Sequence, residues 1–174
     1  SALFVAVASH GVYGVNYCAT SADGITWTQR AMPTLMNYTS VATNGTSFVA
    51  VGMTSANAVT TAAAYSADGI TWAAATMATS QFWYAVSYGG GRYVAVGSTA
   101  AASNINYDAD GAGTWTAGAT LTFTTYRGLA YNGTIWVAVS GISTGSQYKA
   151  DPTSGAFTAG GALPNIYSRG IAWD

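Results

Sequence analysis

The chain of 174 residues carries five Lys and Arg, six Asp and no Glu, for a formal net charge of −1. A nucleic-acid site draws its affinity from several Lys or Arg contacts to phosphate, so this composition excludes that partner class, and with it electrostatic docking on an anionic membrane. Half of the residues are hydrophobic, yet apolar runs such as 3–8 are strand-sized, far below the roughly 18–20 residues of a membrane-crossing helix, and no membrane insertion is expected.

The first residues show neither a basic start nor a small-residue cleavage pattern, so export is expected by a route other than an N-terminal leader. FVAV at 4–7 reads as a strand that is apolar on both parities and so covered on both faces. A loop follows with His10, the single histidine, expected in solvent. A second strand runs through 17–20 and carries Cys18, which has no partner for an intrachain disulfide and reads as a small buried strand residue. The turn SADGITW at 21–27 leads into a strand opening at Trp27 and then a longer return loop.

The same series then recurs. SVAT at 40–43, Asn44-Gly45 and FVAV at 48–51 read as a hairpin whose Asn-Gly pair suits positive φ at both central turn positions. A strand at 62–65, the turn SADGITW at 66–72 and a strand from Trp72 complete the unit. In the next copy Gly89, Gly90 and Gly91 hold the hairpin position ahead of YVAV at 93–96. In the fourth, Tyr131, Asn132 and Gly133 lead to WVAV at 136–139. Phe4, Phe48, Tyr93 and Trp136 fall 44, 45 and 43 residues apart, and Trp27, Trp72, Trp115 and Phe157 fall 45, 43 and 42 apart. Two sets of landmarks share one period, so the chain is a four-fold repeat of a four-stranded unit.

Segments 170–174 and 1–7, written tail to head as GIAWD-SALFVAV, align with GLAYNGTIWVAV at 128–139. The expected fold is therefore an all-β propeller of four blades of about 43 residues in one domain, 1–174. A C-terminal strand pairing with the N-terminal strands would close the ring and leave no open edge. Two chains sharing one eight-bladed ring satisfy the same pattern.

The turns at Ser21, Asp23, Gly24, Thr26 and Trp27, and at Ser66, Asp68, Gly69, Thr71 and Trp72, resemble the Asp-box, or sialidase-type, repeat. The copy with Asp110, Gly111 and Trp115 has one extra residue, and that at Asp151 has lost the pattern. The resemblance implies a propeller in which these aspartates are structural. Each carboxylate accepts N–H groups of its own turn, glycine takes positive φ, and the Trp plugs between neighbouring sheets. It is a resemblance to enzymes as well as to binding modules, of the kind found in phage tail-fibre and virion surface proteins and propeller lectins. The enzymes of the family use three arginines, a Tyr nucleophile helped by a Glu, and an acid/base carboxylate. This chain has no Glu and four arginines without a triad motif, so no catalytic residue, metal or cofactor is expected.

Recognition of a surface ligand remains. Tyr38, Trp83, Tyr84, Tyr126 and Tyr167 stand at near-equivalent places in the return segments, with Arg127 and Arg169 following Tyr126 and Ser168. In a ring these residues cluster on one face, where aromatic rings stack on sugars and Arg fixes hydroxyls or a carboxylate. Successive strand residues alternate sides, so the run Phe82, Trp83, Tyr84 is expected to send at least one ring to the surface, with Trp83 the leading platform. The expected function is a non-enzymatic module binding a host-surface glycan or polysaccharide, extracellular or on a virion, with other virion proteins or further copies of itself as possible partners. A structural protein–protein scaffold is the alternative, and a sialidase-like glycosidase stands behind both.

Overall fold

The computed structural model describes residues 3–98, 105–122, 125–141, 145–163 and 168–173. Thirteen strands follow in chain order: β1 (Phe4–Val7), β2 (Val15–Ser21), β3 (Thr28–Thr43), β4 (Phe48–Thr54), β5 (Thr60–Ser66), β6 (Ala73–Gly89), β7 (Arg92–Ser98), β8 (Ile105–Asp108), β9 (Thr116–Ala117), β10 (Tyr126–Tyr131), β11 (Trp136–Ser140), β12 (Gly145–Lys149) and β13 (Thr158–Ala162). A 3-10 turn at Gly11–Tyr13 is the sole helical piece among the described residues, so none of their helices is long and apolar enough to cross a membrane. Every named pairing is antiparallel between sequence neighbours, in the order β1 to β9 and then β10 to β13.

β3 and β6 are 16 and 17 residues long because each serves two units. The first half of β3 pairs with β2 and its second half with β4, the handover falling at Met36, which faces both Val15 and Thr54. β6 passes from β5 to β7 at Gln81 and Phe82 in the same way. The return loop expected after each Trp is thus continuous strand in the first two units. Residues 73–82 hold no Gly or Pro to break the strand. Pro33 is tolerated because it lies where the β2–β3 register slips, between Tyr17 opposite Ala31 and Val15 opposite Met36, so no ladder N–H is missed.

The Asn-Gly turns differ from the expected two-residue form. Thr43 pairs with Phe48 across a four-residue loop in which Gly45 has φ 91° while Asn44 does not reach positive φ. The Asn44 side chain instead accepts from the N–H groups of Thr46 and Ser47, at 2.9 and 2.7 Å. Asn132 does the same for Thr134 and Ile135. The two-residue turn with positive φ at both centres occurs where glycine alone stands, at Gly90 and Gly91 between Gly89 and Arg92.

Hydrophobic packing is repetitive: one cluster fills each gap between successive units. Val15, Cys18, Met32 and Met36 of the first unit meet Tyr38, Ala50, Ala64 and Trp72 of the second. Val49, Val51, Ala63 and Met77 meet Trp83, Tyr93 and Trp115, and then Val94, Val96 and Ile105 meet Tyr126, Trp136 and Phe157. Cys18 is buried, as its position in the strand implies, and burial pushes its thiol pKa up. Trp72, Trp115 and Phe157 each plug onto the unit before their own. Trp27, in the first unit, departs from the expected plug and is 45% exposed. It belongs to none of the three packed clusters.

Closure also departs from expectation. Among the described residues β1 pairs with β2 alone, and residues 168–173 form no strand. Those residues instead lie beside the last unit: Gly170 backs onto Gly128, and Ile171, Ala172 and Trp173 line a cavity of about 230 Å3 with Ala130 and Val137. The sheets are open at this joint.

Candidate functional site

One irregularity recurs at the start of each inner strand. In β3, Tyr38 faces Gly52 and Ser40 faces Val51, so Thr39 is skipped by the ladder. In β6 the skipped residue is Tyr84, between Trp83 opposite Gly97 and Ala85 opposite Val96. In β10 it is Arg127, between Tyr126 opposite Ser140 and Gly128 opposite Val139. An extra residue of this kind twists the strand locally and turns its side chain away from the ladder. Close packing fixes the first two bulges, since a Cβ at Gly52 or Gly97 would collide with the backbone at Asn37 or Phe82. Thr39 ties its bulge to the next unit, its hydroxyl donating to the Trp83 carbonyl at 2.7 Å.

The bulges converge. Thr39, Tyr84 and Arg127 line one cavity of about 440 Å3 together with Arg169, which follows Ser168 at the matching place in the sequence pattern. Val7, Ser9, Met53 and the edge of Tyr38 complete the wall. The Arg127 guanidinium stands 4.3 Å from the centroid of the Tyr84 ring, a cation–π distance. Phe82, on the same side of β6, stacks against Tyr84 with centroids 6.5 Å apart and planes at 21°. The Arg127 stem crosses Gly141, where a Cβ would collide with it. Arg127 is therefore held between an aromatic ring and bare backbone, while Arg169 is exposed. Arg127, Arg169, Ser9, Thr39 and Tyr84 line a cavity whose lining residues include no carboxylate.

The aromatics expected as platforms divide by parity. Trp83, expected as the leading one, is fully buried and donates Nε1–H to the Thr60 carbonyl at 3.0 Å. Tyr38 and Tyr126 are buried equally, the first donating its hydroxyl to the Thr34 carbonyl and the second to the Gln147 side chain. Burial pushes the Tyr38 hydroxyl up to about 12. Trp83 and Tyr126 fill gaps between units and line no part of the cavity, which corrects the sequence expectation for them, whereas Tyr38 is buried but meets the cavity wall. The alternation argument did hold for the neighbour of Trp83, since Tyr84 reaches the cavity. Tyr167 lies outside the described residues. Ser9, Thr39 and Met53 were not anticipated; aligning each return segment by the repeat would have found Thr39, one residue after Tyr38 as Tyr84 follows Trp83 and Arg127 follows Tyr126.

Every described aspartate lies in a turn at the opposite end of the strands. Ser66 and Asp108, which open two such turns, pair with Phe48 and Tyr93 at the hairpin ends of β4 and β7, whereas the bulges sit at their other ends. Asp23 Oδ1 accepts from the N–H groups of Thr26 and Ile25, each at 2.8 Å, and from the Ser21 hydroxyl. These donors, Thr26 foremost, hold its pKa down at about 2. Thr71, Ile70 and Ser66 do the same for Asp68 and lower it likewise. In the third copy Asp108 replaces the serine, accepting from Asp110 and Gly111, and burial raises its pKa. Asp110 keeps one backbone donor, Ala112, which lowers it. No group of three His, Cys, Asp or Glu comes together to hold a metal among the described residues.

No family model matches the chain, and no curated protein matches it. Solved structures do. YCF48 bound to D1 peptide is 15% identical with a TM-score of 0.63, over 99% of this chain and 61% of that one. The computationally designed Ika8 protein is 11% identical with a TM-score of 0.59, over 99% of this chain and 52% of that one. The GH74 enzyme of Niastella koreensis is 20% identical with a TM-score of 0.61, over 94% of this chain and 24% of that one. The fold is β-propeller-like. This chain spans no more than about three-fifths of the propeller-like chains it resembles.

Proposed function

We propose that this chain is a non-enzymatic recognition module whose bulge cavity binds an acidic glycan of a host or cell surface. The observation that carries the reading is the convergence of three equivalent bulge residues, Thr39, Tyr84 and Arg127, with Arg169 on one cavity. A guanidinium pinned on a tyrosine is pre-set to meet a carboxylate or sulfate, and hydroxyls beside it suit the remaining sugar oxygens. A glycosidase needs two carboxylates flanking the scissile bond, and the residues lining this cavity supply none. The turns built on Asp23 and Asp68 support a relationship to Asp-box propellers, with those aspartates as structural groups. A virion-surface setting rests on composition: few charges and abundant Ala, Thr, Ser and Gly.

A second reading is favoured by one observation, the peptide bound to YCF48. Here the cavity would take a peptide carboxylate, and the module would be a protein–protein scaffold. An array carrying uronic, sialylated, sulfated and neutral glycans beside peptides with free or amidated C-termini separates the two. The glycan reading expects the acidic sugars to be retained and the neutral ones and peptides to pass. Retention of free-carboxylate peptides alone would overturn it in favour of the scaffold.

A further inference from the structure

Two asparagines of the chain precede a glycine, Asn44 and Asn132, and both sit in hairpin turns of one conformation. Gly45 and Gly133 share a φ of 91°. The asparagine N–H groups reach the carbonyls three residues on, Asn44 to Ser47 at 3.3 Å and Asn132 to Ile135 at 3.2 Å. In both turns the side-chain carbonyl accepts from the two N–H groups beyond the glycine. Both glycines are open to solvent, since a Cβ on either would meet nothing within 4 Å.

An Asn-Gly step in such a turn is chemically labile. The glycine nitrogen, on losing its proton, attacks the asparagine Cγ, a five-membered succinimide closes, and the side-chain amide leaves as ammonia. Water then opens the ring at one carbonyl to give aspartate or at the other to give isoaspartate. N–H donors on the side-chain oxygen polarise Cγ and stabilise the charge that develops during attack. Both turns supply two, and Asn44 has a third donor in the Thr46 hydroxyl at 2.9 Å. The electrophile alone would therefore make Asn44 the faster site.

The nucleophiles differ. Gly45 N–H donates to Thr43 Oγ1 at 3.0 Å, and that hydroxyl is fixed by donating in turn to the Ser47 carbonyl at 2.7 Å. Removing the Gly45 proton forfeits this bond and sets the new lone pair against the Oγ1 lone pairs. Tyr131 stands in the place of Thr43 and has no hydroxyl on its Cβ; its phenol donates to the Gly133 carbonyl at 2.9 Å, beyond the peptide that would react. Gly133 is exposed, and its N–H has no acceptor among the described residues. The contrast lies inside the two turns.

We propose that Asn132 is a site of spontaneous deamidation in the folded protein and that the Thr43 hydroxyl protects Asn44. Aspartate at 132 would still accept from Thr134 and Ile135 while adding a negative charge. Isoaspartate would add a backbone carbon to the hairpin that pairs Tyr131 with Trp136. This is independent of what the bulge cavity binds.

The test incubates the folded protein in mildly alkaline buffer at physiological temperature and follows the proteolytic peptides spanning residues 44 and 132 by mass spectrometry. Asn132 should convert on the order of tenfold faster than Asn44, the equivalent of one hydrogen bond. In denaturant, where both sites are Asn-Gly-Thr, the two rates should become equal. Thr43→Val should bring Asn44 up to the rate of Asn132, whereas Thr43→Ser, which keeps the hydroxyl, should leave it protected. A thermal melt of each variant confirms that the comparison is between folded proteins. Equal rates at the two sites of the folded wild type, a faster Asn44, or no conversion at Asn132 overturns the proposal, as does an Asn44 that stays protected in Thr43→Val.

Discussion

The Arg127 guanidinium lies 4.3 Å from the ring centroid of Tyr84, and both residues are the unpaired members of β-bulges one repeat apart. The relationship depends on Gly141, whose missing side chain leaves the lane in which the Arg127 stem runs. Gly141 does not adopt positive φ, so alanine is compatible with its backbone and the arginine stem is what must move. Gly141→Ala should therefore lower affinity for an acidic saccharide nearly as much as Arg127→Ala, with the melting temperature almost unchanged. Calorimetric titration beside a thermal melt checks both halves. A Gly141→Ala protein that binds at full strength would separate Arg127 placement from binding.

Trp83 and Tyr84 are adjacent and should answer to different assays. Trp83→Ala empties a packed gap between units and should cost about 3–5 kcal/mol of stability in denaturant titration. Tyr84→Ala should leave the denaturation midpoint close to wild type and weaken binding. The opposite pattern would return Trp83 to the site.

The period, the strands and the turn chemistry were legible in the residues, because aromatic-Val-Ala-Val and the Asp turns each repeat on a fixed spacing. The bulges were not. A residue skipped by the ladder has no composition of its own, and Thr39, Tyr84 and Arg127 share a position but no chemistry. The aromatic before each bulge looked like a ligand platform for the same reason that it is a good wedge, being large and amphipathic. Continuous strands in place of return loops were not legible either, because β3 and β6 each pair with two neighbours and shift register on the way, which no residue type announces.

The Asp turns give an acid limb to stability. Asp23 sits at about 2 in the fold against an ordinary 3.8, so its charged form favours folding above about pH 4, and this contribution is lost as the pH falls toward 2. Asp68 acts in the same direction. Melting temperature should fall over that window in the wild type and fall less in Asp23→Asn/Asp68→Asn, which starts lower at neutral pH. Parallel curves would remove these carboxylates from the account of acid stability.

The two buried plugs differ in one bond. Trp72 donates Nε1–H to the Gly69 carbonyl at 3.1 Å, whereas the extra residue in the third turn sets Gly111 one place further from Trp115, whose buried Nε1 has no partner among the described residues. Trp72→Phe should cost about 1 kcal/mol beyond its volume change, and Trp115→Phe should cost markedly less or stabilise, because an unsatisfied donor is removed. Equal losses in chemical denaturation would show that the Trp115 donor is satisfied in solution.

Binding of a uronic-acid oligosaccharide and of its carboxyl-reduced counterpart, measured by calorimetry on the same protein preparation, bears most directly on the cavity. The acidic form should bind, the reduced form should bind at least tenfold more weakly, and Arg127→Ala should lose about tenfold toward the acidic form alone, as befits one charge-assisted hydrogen bond. Equal behaviour of the two sugars, or an acidic sugar held as well by Arg127→Ala as by the wild type, would contradict the assignment of this cavity to an acidic ligand.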